Sequence, residues 1–251
     1  MNLTREQMLA EMGITPIWRA RLAAPTGVPG EPLAAAPATT AAPADRAALV
    51  TESVAVDALN WSELAAAVAD CKACPLHGQR KQAVLGVGDR DPDWLFIGEG
   101  PGAEEDVKGE PFVGQAGKLL DNMLAALGIA RGNKVYIGNA VKCRPPGNRT
   151  PEAAEMAACR PWLERQVALL RPKVIVLLGK AAVHSLLHDD KSLAALRGRR
   201  FEYRGIPVIV TYHPAYLLRN LPEKAKAWED LLFARRCLRE SMTTGNGELA
   251  F

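Results

Sequence analysis

The sequence has no apolar run as long as a bilayer span, so it does not predict a transmembrane helix. The N-terminus has no apolar segment of the kind found in a secretory signal, and it carries the charged residues Arg5, Glu6 and Glu11. We therefore expect a cytoplasmic protein. No Gly-Lys-Ser/Thr follows the glycine-rich residues 98–102, which argues against a phosphate-binding P-loop. An excess of one charge is also missing. The net charge of +3 permits nucleic-acid binding without arguing for it.

Five cysteines do not suit a disulfide framework, but four of them are spaced like metal ligands. Cys71 and Cys74 form a Cys-x-x-Cys pair, and Cys143 and Cys159 lie farther along the chain. Two local and two distant thiolates can close one site for zinc or for a four-iron cluster. On the residues alone zinc is the more frequent occupant, and unconnected buried cysteines are the alternative. Cys237 follows apolar residues on a predicted helix and is interpreted as a core residue.

Composition divides the chain into four parts. Residues 1–21 predict a short amphipathic helix, which could bind a replication or repair partner. Residues 22–50 are rich in Ala and Pro, as is typical of a disordered linker. A folded domain is expected over residues 51–241, and residues 242–251 are expected to form a frayed C-terminus.

Apolar segments alternate between strand-like and helix-like patterns, which indicates an α/β domain. The expected strands are apolar runs bounded by turn residues: 94–98, 135–137, 173–178 and 206–212. Helical patterns between them predict three layers, α/β/α, around a central, mainly parallel four-stranded sheet. Ligands of such sheets bind where the strands end. Glu99, Asn139 and His213 fall at such ends, so we expect them at one edge of the sheet.

Four motifs follow one another along the predicted domain. They are Gly-Glu-Gly-Pro-Gly-Ala-Glu-Glu-Asp at 98–106, Gly-Glu-Pro-Phe-Val-Gly at 109–114, Asn-Ala-Val-Lys-Cys-Arg-Pro-Pro-Gly-Asn-Arg at 139–149 and His-Pro-Ala-Tyr-Leu-Leu-Arg at 213–219. In sequence and order they resemble the family 4 uracil-DNA glycosylases, the iron–sulfur enzymes of bacteria and archaea. The resemblance implies a DNA-repair enzyme that hydrolyses the N-glycosidic bond of uracil in single- or double-stranded DNA, leaving an abasic site. The alternative is a non-catalytic iron–sulfur DNA-binding module associated with replication.

The resemblance also implies the ligands of the cofactor and the residues of the uracil pocket. The four spaced cysteines would hold a [4Fe-4S] cluster rather than zinc. Phe112 would stack on the base, and Asn139 would donate to uracil O4 and accept from N3–H. His213 would donate to O2 as negative charge develops on the leaving base. A block against the methyl group of thymine is assigned to Glu99 or its neighbour Gly100.

The group that orients the attacking water is less well defined by the motifs. Glycosylase families with a catalytic aspartate carry it at the position that Gly100 occupies here. Glu105 and Asn148 are therefore the candidates for this role.

The resemblance places DNA contacts in the third and fourth motifs. Leu217 and Leu218 are expected to wedge into the gap that a flipped base leaves. Phosphate contacts are expected from basic side chains near them: Lys142, Arg144, Arg149 and Arg219.

Overall fold

The structure, a computed structural model, describes residues 56–245 of the chain. The predicted N-terminal helix at 1–21 and the linker at 22–50 lie outside these residues. The last helix continues to Gly245, past the predicted start of fraying at residue 242. Within the described part, no helix has both the length and the apolar character needed to cross a bilayer.

The described chain alternates strands and helices. In order, the elements are α1 (Trp61–Asp70), β1 (Val87–Gly88), β2 (Trp94–Gly98), α2 (Ala103–Lys108), α3 (Gln115–Leu127), β3 (Val135–Asn139), α4 (Ala153–Leu170), β4 (Val174–Leu178), α5 (Lys180–Leu187), α6 (Leu193–Leu196), β5 (Arg200–Tyr203), β6 (Ile206–Thr211), α7 (Pro214–Arg219) and α8 (Glu223–Gly245). Short 3-10 turns at Pro75–Gly78 and Pro146–Asn148 complete it.

Six strands form one sheet in the order β1-β3-β2-β4-β6-β5. The inner four strands run parallel, and β1 and β5 pair antiparallel at the two edges. The predicted α/β class and mainly parallel sheet are confirmed, but the predicted number of four strands is wrong. The edge strands lack the buried apolar run that reveals the inner ones, because β1 has two residues and β5 alternates between exposed and half-buried positions.

Helices cover both faces of the sheet, as the predicted three-layer arrangement requires. Trp94 and Phe96 of β2 face a cluster that includes residues of α3 and α8. Leu95 and Ile97, the alternate residues of the same strand, face residues of α4 and α5. Because successive side chains of a strand point to opposite faces, a short apolar run supplies both cores.

The register of the parallel strands determines which residues meet at the end of the sheet. Gly98 pairs with Asn139, and Leu178 pairs with Thr211. The chain leaves β6 toward His213 at this same edge. The polar residues that follow β2, β3 and β6 are therefore neighbours in space.

The packing of α4 on the sheet gives a prediction for stability. Leu163 on α4 is 2% exposed, and shortening it to alanine leaves a cavity in that core. We expect Leu163→Ala to lower the free energy of unfolding by about 2–5 kcal/mol in urea titrations. Leu221→Ala is the control, because Leu221 is 61% exposed and should change the value by less than about 0.5 kcal/mol. Equal effects of both variants would contradict this packing.

Candidate active site

An open cleft of about 920 Å³ lies where the strands end. It is lined by all five residues predicted for the base pocket: Glu99, Gly100, Phe112, Asn139 and His213. The same cleft is lined by four residues predicted for the water or for DNA: Glu105, Asn148, Arg149 and Arg219. The structure thus brings together loops that are far apart in sequence.

The Asn139 side chain is buried, yet its amide oxygen is available. Asn139 is 2% exposed, and its Oδ1 has no hydrogen-bond partner among the described residues. A Cβ atom on Gly98 would lie 2.5 Å from this oxygen and 2.5 Å from Cζ of Phe112, so the glycine makes room for both groups. A buried acceptor without a donor costs about 1–3 kcal/mol. Its presence in the cleft indicates a site for a ligand's N–H group.

His213 lies beside the aromatic ring of Phe112, with the ring centroids 5.4 Å apart and the planes at 29°. The backbone N–H of Ala215 donates to Nδ1 of His213 over 3.2 Å. In the neutral ring the proton must then reside on Nε2, which becomes a hydrogen-bond donor. Burial lowers the pKa of His213 to about 4, aided by the positive charge of Arg219 and opposed by Glu105. The imidazole is therefore neutral near pH 7.

Glu99 and Gly100 form the wall of the cleft after β2. Burial raises the pKa of the Glu99 carboxyl, and a hydrogen bond with the Thr150 side chain opposes this shift. Thr150 lies two residues before Glu152, which caps the N-terminus of α4. Gly100 is packed so closely that a Cβ atom there would lie 2.8 Å from Cγ2 of Val141.

Glu105 braces the loops around the cleft. Its Oε1 accepts the backbone N–H groups of Val113 and Gly114 at 2.9 and 3.1 Å. Its Oε2 accepts the N–H of Gly102 at 3.1 Å. Because both oxygens bind the backbone, the geometry does not support the predicted role of Glu105 in orienting water. Asn148, the other candidate, is exposed and lines the cleft, although its Oδ1 accepts from Nε of Arg144.

The arginines predicted to contact phosphates differ in whether their guanidinium groups already bind other side chains. Arg144 donates through Nε to Oδ1 of Asn148 at 2.8 Å. Arg149 forms a two-pronged pair with Glu155 at 2.7 and 2.8 Å, so its guanidinium is held at the start of α4. Arg219 is exposed at the end of α7.

Two residues predicted to touch DNA are buried instead. Leu217 is fully buried and packs with Tyr212 and Ala227, so its prediction as a wedge is wrong. Helical spacing explains this, because Leu217 and Leu218 point in different directions and Leu218 is 41% exposed. Lys142 is 1% exposed, and its Nζ donates to the carbonyl oxygen of Asn139 at 2.8 Å, so it does not reach a phosphate.

The four spaced cysteines line a second, smaller cavity: Cys71, Cys74, Cys143 and Cys159. Arg80 donates through Nη1 to Sγ of Cys143 at 2.8 Å, and the backbone N–H of Lys142 donates to Sγ of Cys159 at 3.2 Å. Cys237 is buried elsewhere, between β-sheet and helix residues, as predicted.

By donor type, the four thiols of this cavity suit either an iron–sulfur cluster or a zinc ion. Hydrogen bonds to the sulfurs and a nearby cation are features of protein-bound clusters. Among the described residues, no three His, Cys, Asp or Glu side chains are grouped closely enough to hold one metal ion. Sequence spacing revealed the cysteines but gave no signal for Arg80.

Comparison with known proteins agrees with the geometry. The model of the uracil DNA glycosylase superfamily matches residues 85–232. A type-4 uracil-DNA glycosylase of Thermotoga maritima is 49% identical over 155 residues, which are 61% of this chain and 80% of that protein. The type-4 enzymes of Pyrobaculum aerophilum and Saccharolobus solfataricus are 42% and 39% identical, over 65% and 74% of this chain and 87% and 89% of their own lengths.

The chain therefore belongs to the uracil DNA glycosylase superfamily. Within it, these relatives carry the type-4 name, which confirms the resemblance predicted from the four motifs.

The burial of His213 gives a prediction for stability against pH. Its folded pKa of about 4 lies below the ordinary value of 6.5, so between these values the unfolded chain binds more protons. The free energy of unfolding should rise with pH across this window, and His213→Gln should remove about 1–3 kcal/mol of the rise. Denaturant titrations at pH 4.5 and 7 measure the change in the free energy of unfolding between these two values. His188→Gln, at an exposed position, is the control, and an unchanged rise in the His213 variant would contradict the assignment.

Proposed function

We propose that the protein is a DNA-repair glycosylase that removes uracil from DNA by hydrolysing the bond between N1 of the base and C1′ of the sugar. The observation that carries this proposal is the unpartnered, buried Oδ1 of Asn139 beside the ring of Phe112. The names and identities of the relatives support it. A base inside a duplex cannot reach such a cleft, so the target nucleotide has to be flipped out of the stack.

The flipped uracil would lie with one face on Phe112 and with its Watson–Crick edge toward Asn139. Base stacking on an aromatic ring contributes about 1–3 kcal/mol. Oδ1 of Asn139 accepts from N3–H, and Nδ2 donates to O4. Cytosine has an acceptor at N3 and a donor at C4, so each contact would then face a like group. Glu99 or Gly100 would exclude the methyl group of thymine.

Bond cleavage requires stabilisation of the uracil anion. As the N1–C1′ bond breaks, its electron pair moves into the ring and negative charge accumulates on O2. The Nε2–H of the neutral His213 donates to that oxygen and stabilises the charge without transferring a proton. A water oriented by the amide of Asn148 attacks C1′, and its proton passes to solvent.

DNA contacts would come from the same edge of the sheet. Leu218, the exposed leucine of α7, is the wedge that would fill the gap left by the base. Arg144, Arg149 and Arg219 would contact phosphates, with Arg149 using the part of its guanidinium not engaged by Glu155.

We propose that the four cavity cysteines hold a [4Fe-4S] cluster. When bound, such a cluster would supply a covalent cross-link among α1, the segment after β3, and α4. The residues of the chain that contact DNA and base remain those of the cleft, so the cluster's role here is structural.

A single assay separates an enzyme from a non-catalytic DNA-binding module. The protein is incubated with a single-stranded oligonucleotide containing one uracil, and abasic sites are cleaved with alkali. A glycosylase yields a shortened strand and free uracil, whereas a binding module shifts the oligonucleotide in a gel and leaves it intact. An intact strand at stoichiometric protein would overturn the proposed activity.

The role of Asn139 gives the next prediction. Asn139→Ala removes the contacts to N3–H and O4 and should lower kcat/KM on the uracil oligonucleotide by roughly 10- to 1,000-fold, since each lost buried contact costs about 1–3 kcal/mol. Asn133→Ala is a matched control, because Asn133 is exposed in the turn before β3. Uracil release at the wild-type rate by the Asn139 variant would contradict the pocket.

The cysteines give a prediction that does not depend on activity. Cys159→Ala removes one cavity thiol and should lower bound iron and the visible absorbance of anaerobically purified protein by most of its value. Cys237→Ala, which removes the buried cysteine outside the cavity, should leave both unchanged. Full iron content in the Cys159 variant, or bound zinc in the wild type, would contradict the cluster.

A further inference from the structure

The backbone of Phe112 is held in a conformation that aromatic residues rarely adopt. Its φ is +57°, in the left-handed region, where a residue with a Cβ atom is strained by about 1–3 kcal/mol. Such a conformation persists only where the surroundings impose it. Here it directs the ring across the end of β2, where Cζ of Phe112 lies 2.5 Å from the place that a Cβ on Gly98 would occupy.

Arg131, in the turn between α3 and β3, binds the backbone of Pro111 and Phe112. Its Nη1 donates to the carbonyl oxygen of Pro111 at 2.8 Å, and its Nη2 donates to that of Phe112 at 2.9 Å. Asp121 on α3 accepts from Nε and Nη2 at 3.2 and 2.9 Å, which fixes the plane of the guanidinium. Only arginine offers several donors in a rigid plane, and a lysine ammonium cannot reproduce this fork.

Helix α3 closes the other side of the same peptide. A Cβ atom on Gly117 would lie 1.8 Å from the carbonyl oxygen of Phe112, so only glycine allows this approach. The carbonyl is thus confined between α3 and Arg131. Nothing in the four motifs pointed to Arg131, because it lies outside them.

We propose that Arg131, fixed by Asp121, is a positioning residue that holds Phe112 in its left-handed conformation and so sets the face on which the base stacks. The inference rests on the proposed function, because it assigns Phe112 to the base. Arg131 itself does not line the cleft. It acts through Phe112, and its removal should misplace the ring rather than remove it.

The test is a double-mutant cycle in the full-length protein with its cofactor bound. Single-turnover uracil release is measured for the wild type, Phe112→Ala, Arg131→Gln and the double variant. Arg131→Gln should lower the rate roughly 10- to 100-fold in the wild-type background, as misplacement by about 1 Å does. In the Phe112→Ala background it should change the rate less than about threefold. Equal losses in both backgrounds would overturn the proposal, since a general structural defect would act on both.

Two further variants separate the fork from charge and from general damage. Arg131→Lys keeps the positive charge but lacks the planar pair of donors, and it should lose as much activity as Arg131→Gln. Full activity of Arg131→Lys would contradict the role of the guanidinium donors. The matched control is Arg204→Gln. Arg204 lies in the turn between β5 and β6, and its replacement removes a surface ion pair with Glu164 of α4. It should leave uracil release unchanged.

A crystal structure of Arg131→Gln gives a readout independent of catalysis. Phe112 should leave the left-handed region, and an unchanged φ would overturn the proposal whatever the activity. An inactive wild type would instead overturn the proposed function, and this structure would still decide whether Arg131 holds the backbone.

Discussion

The parallel pairing of β2 with β3 is the interaction on which the site depends. It sets Gly98 opposite Asn139, so the amide of one strand lies over the missing side chain of the other. A slip of one residue would turn the amide to the other face of the sheet and place a bulkier neighbour opposite it. The apolar faces of both strands, packed between two helical layers, make such a slip costly.

Lys142 connects this pairing to the cysteine cavity. Its buried ammonium donates to the carbonyl of Asn139, while its backbone N–H donates to Sγ of Cys159. A buried cation is costly unless negative charge lies near it, and ligand thiolates at Cys143 and Cys159 would supply that charge. The amide that faces the cleft and the segment that would hold the cluster therefore share one rigid stretch of chain.

The sequence allowed prediction of features that short-range patterns express. Apolar runs revealed the four inner strands, and the Cys71–Cys74 spacing revealed part of the cavity. Features that depend on three-dimensional neighbours were not predictable in this way. Leu217 and Leu218 are the same residue type, and only the orientation of α7 determines that Leu217 is buried and Leu218 is exposed. Arg131 contacts carbonyl oxygens, which carry no sequence signal.

Gly100 explains why the aspartate of other glycosylases has no counterpart here. A Cβ atom at this position would lie 2.8 Å from Cγ2 of Val141, a buried, β-branched side chain that cannot turn away cheaply. An aspartate would therefore displace the segment after β3, which joins Asn139, the last residue of β3, to the cavity cysteine Cys143. In the proposed mechanism, water orientation would then come from a different loop, and catalysis would depend more on stabilising the leaving base at His213. A neutral imidazole with its proton fixed on Nε2 is suited to that task, because it can donate to O2 throughout the reaction.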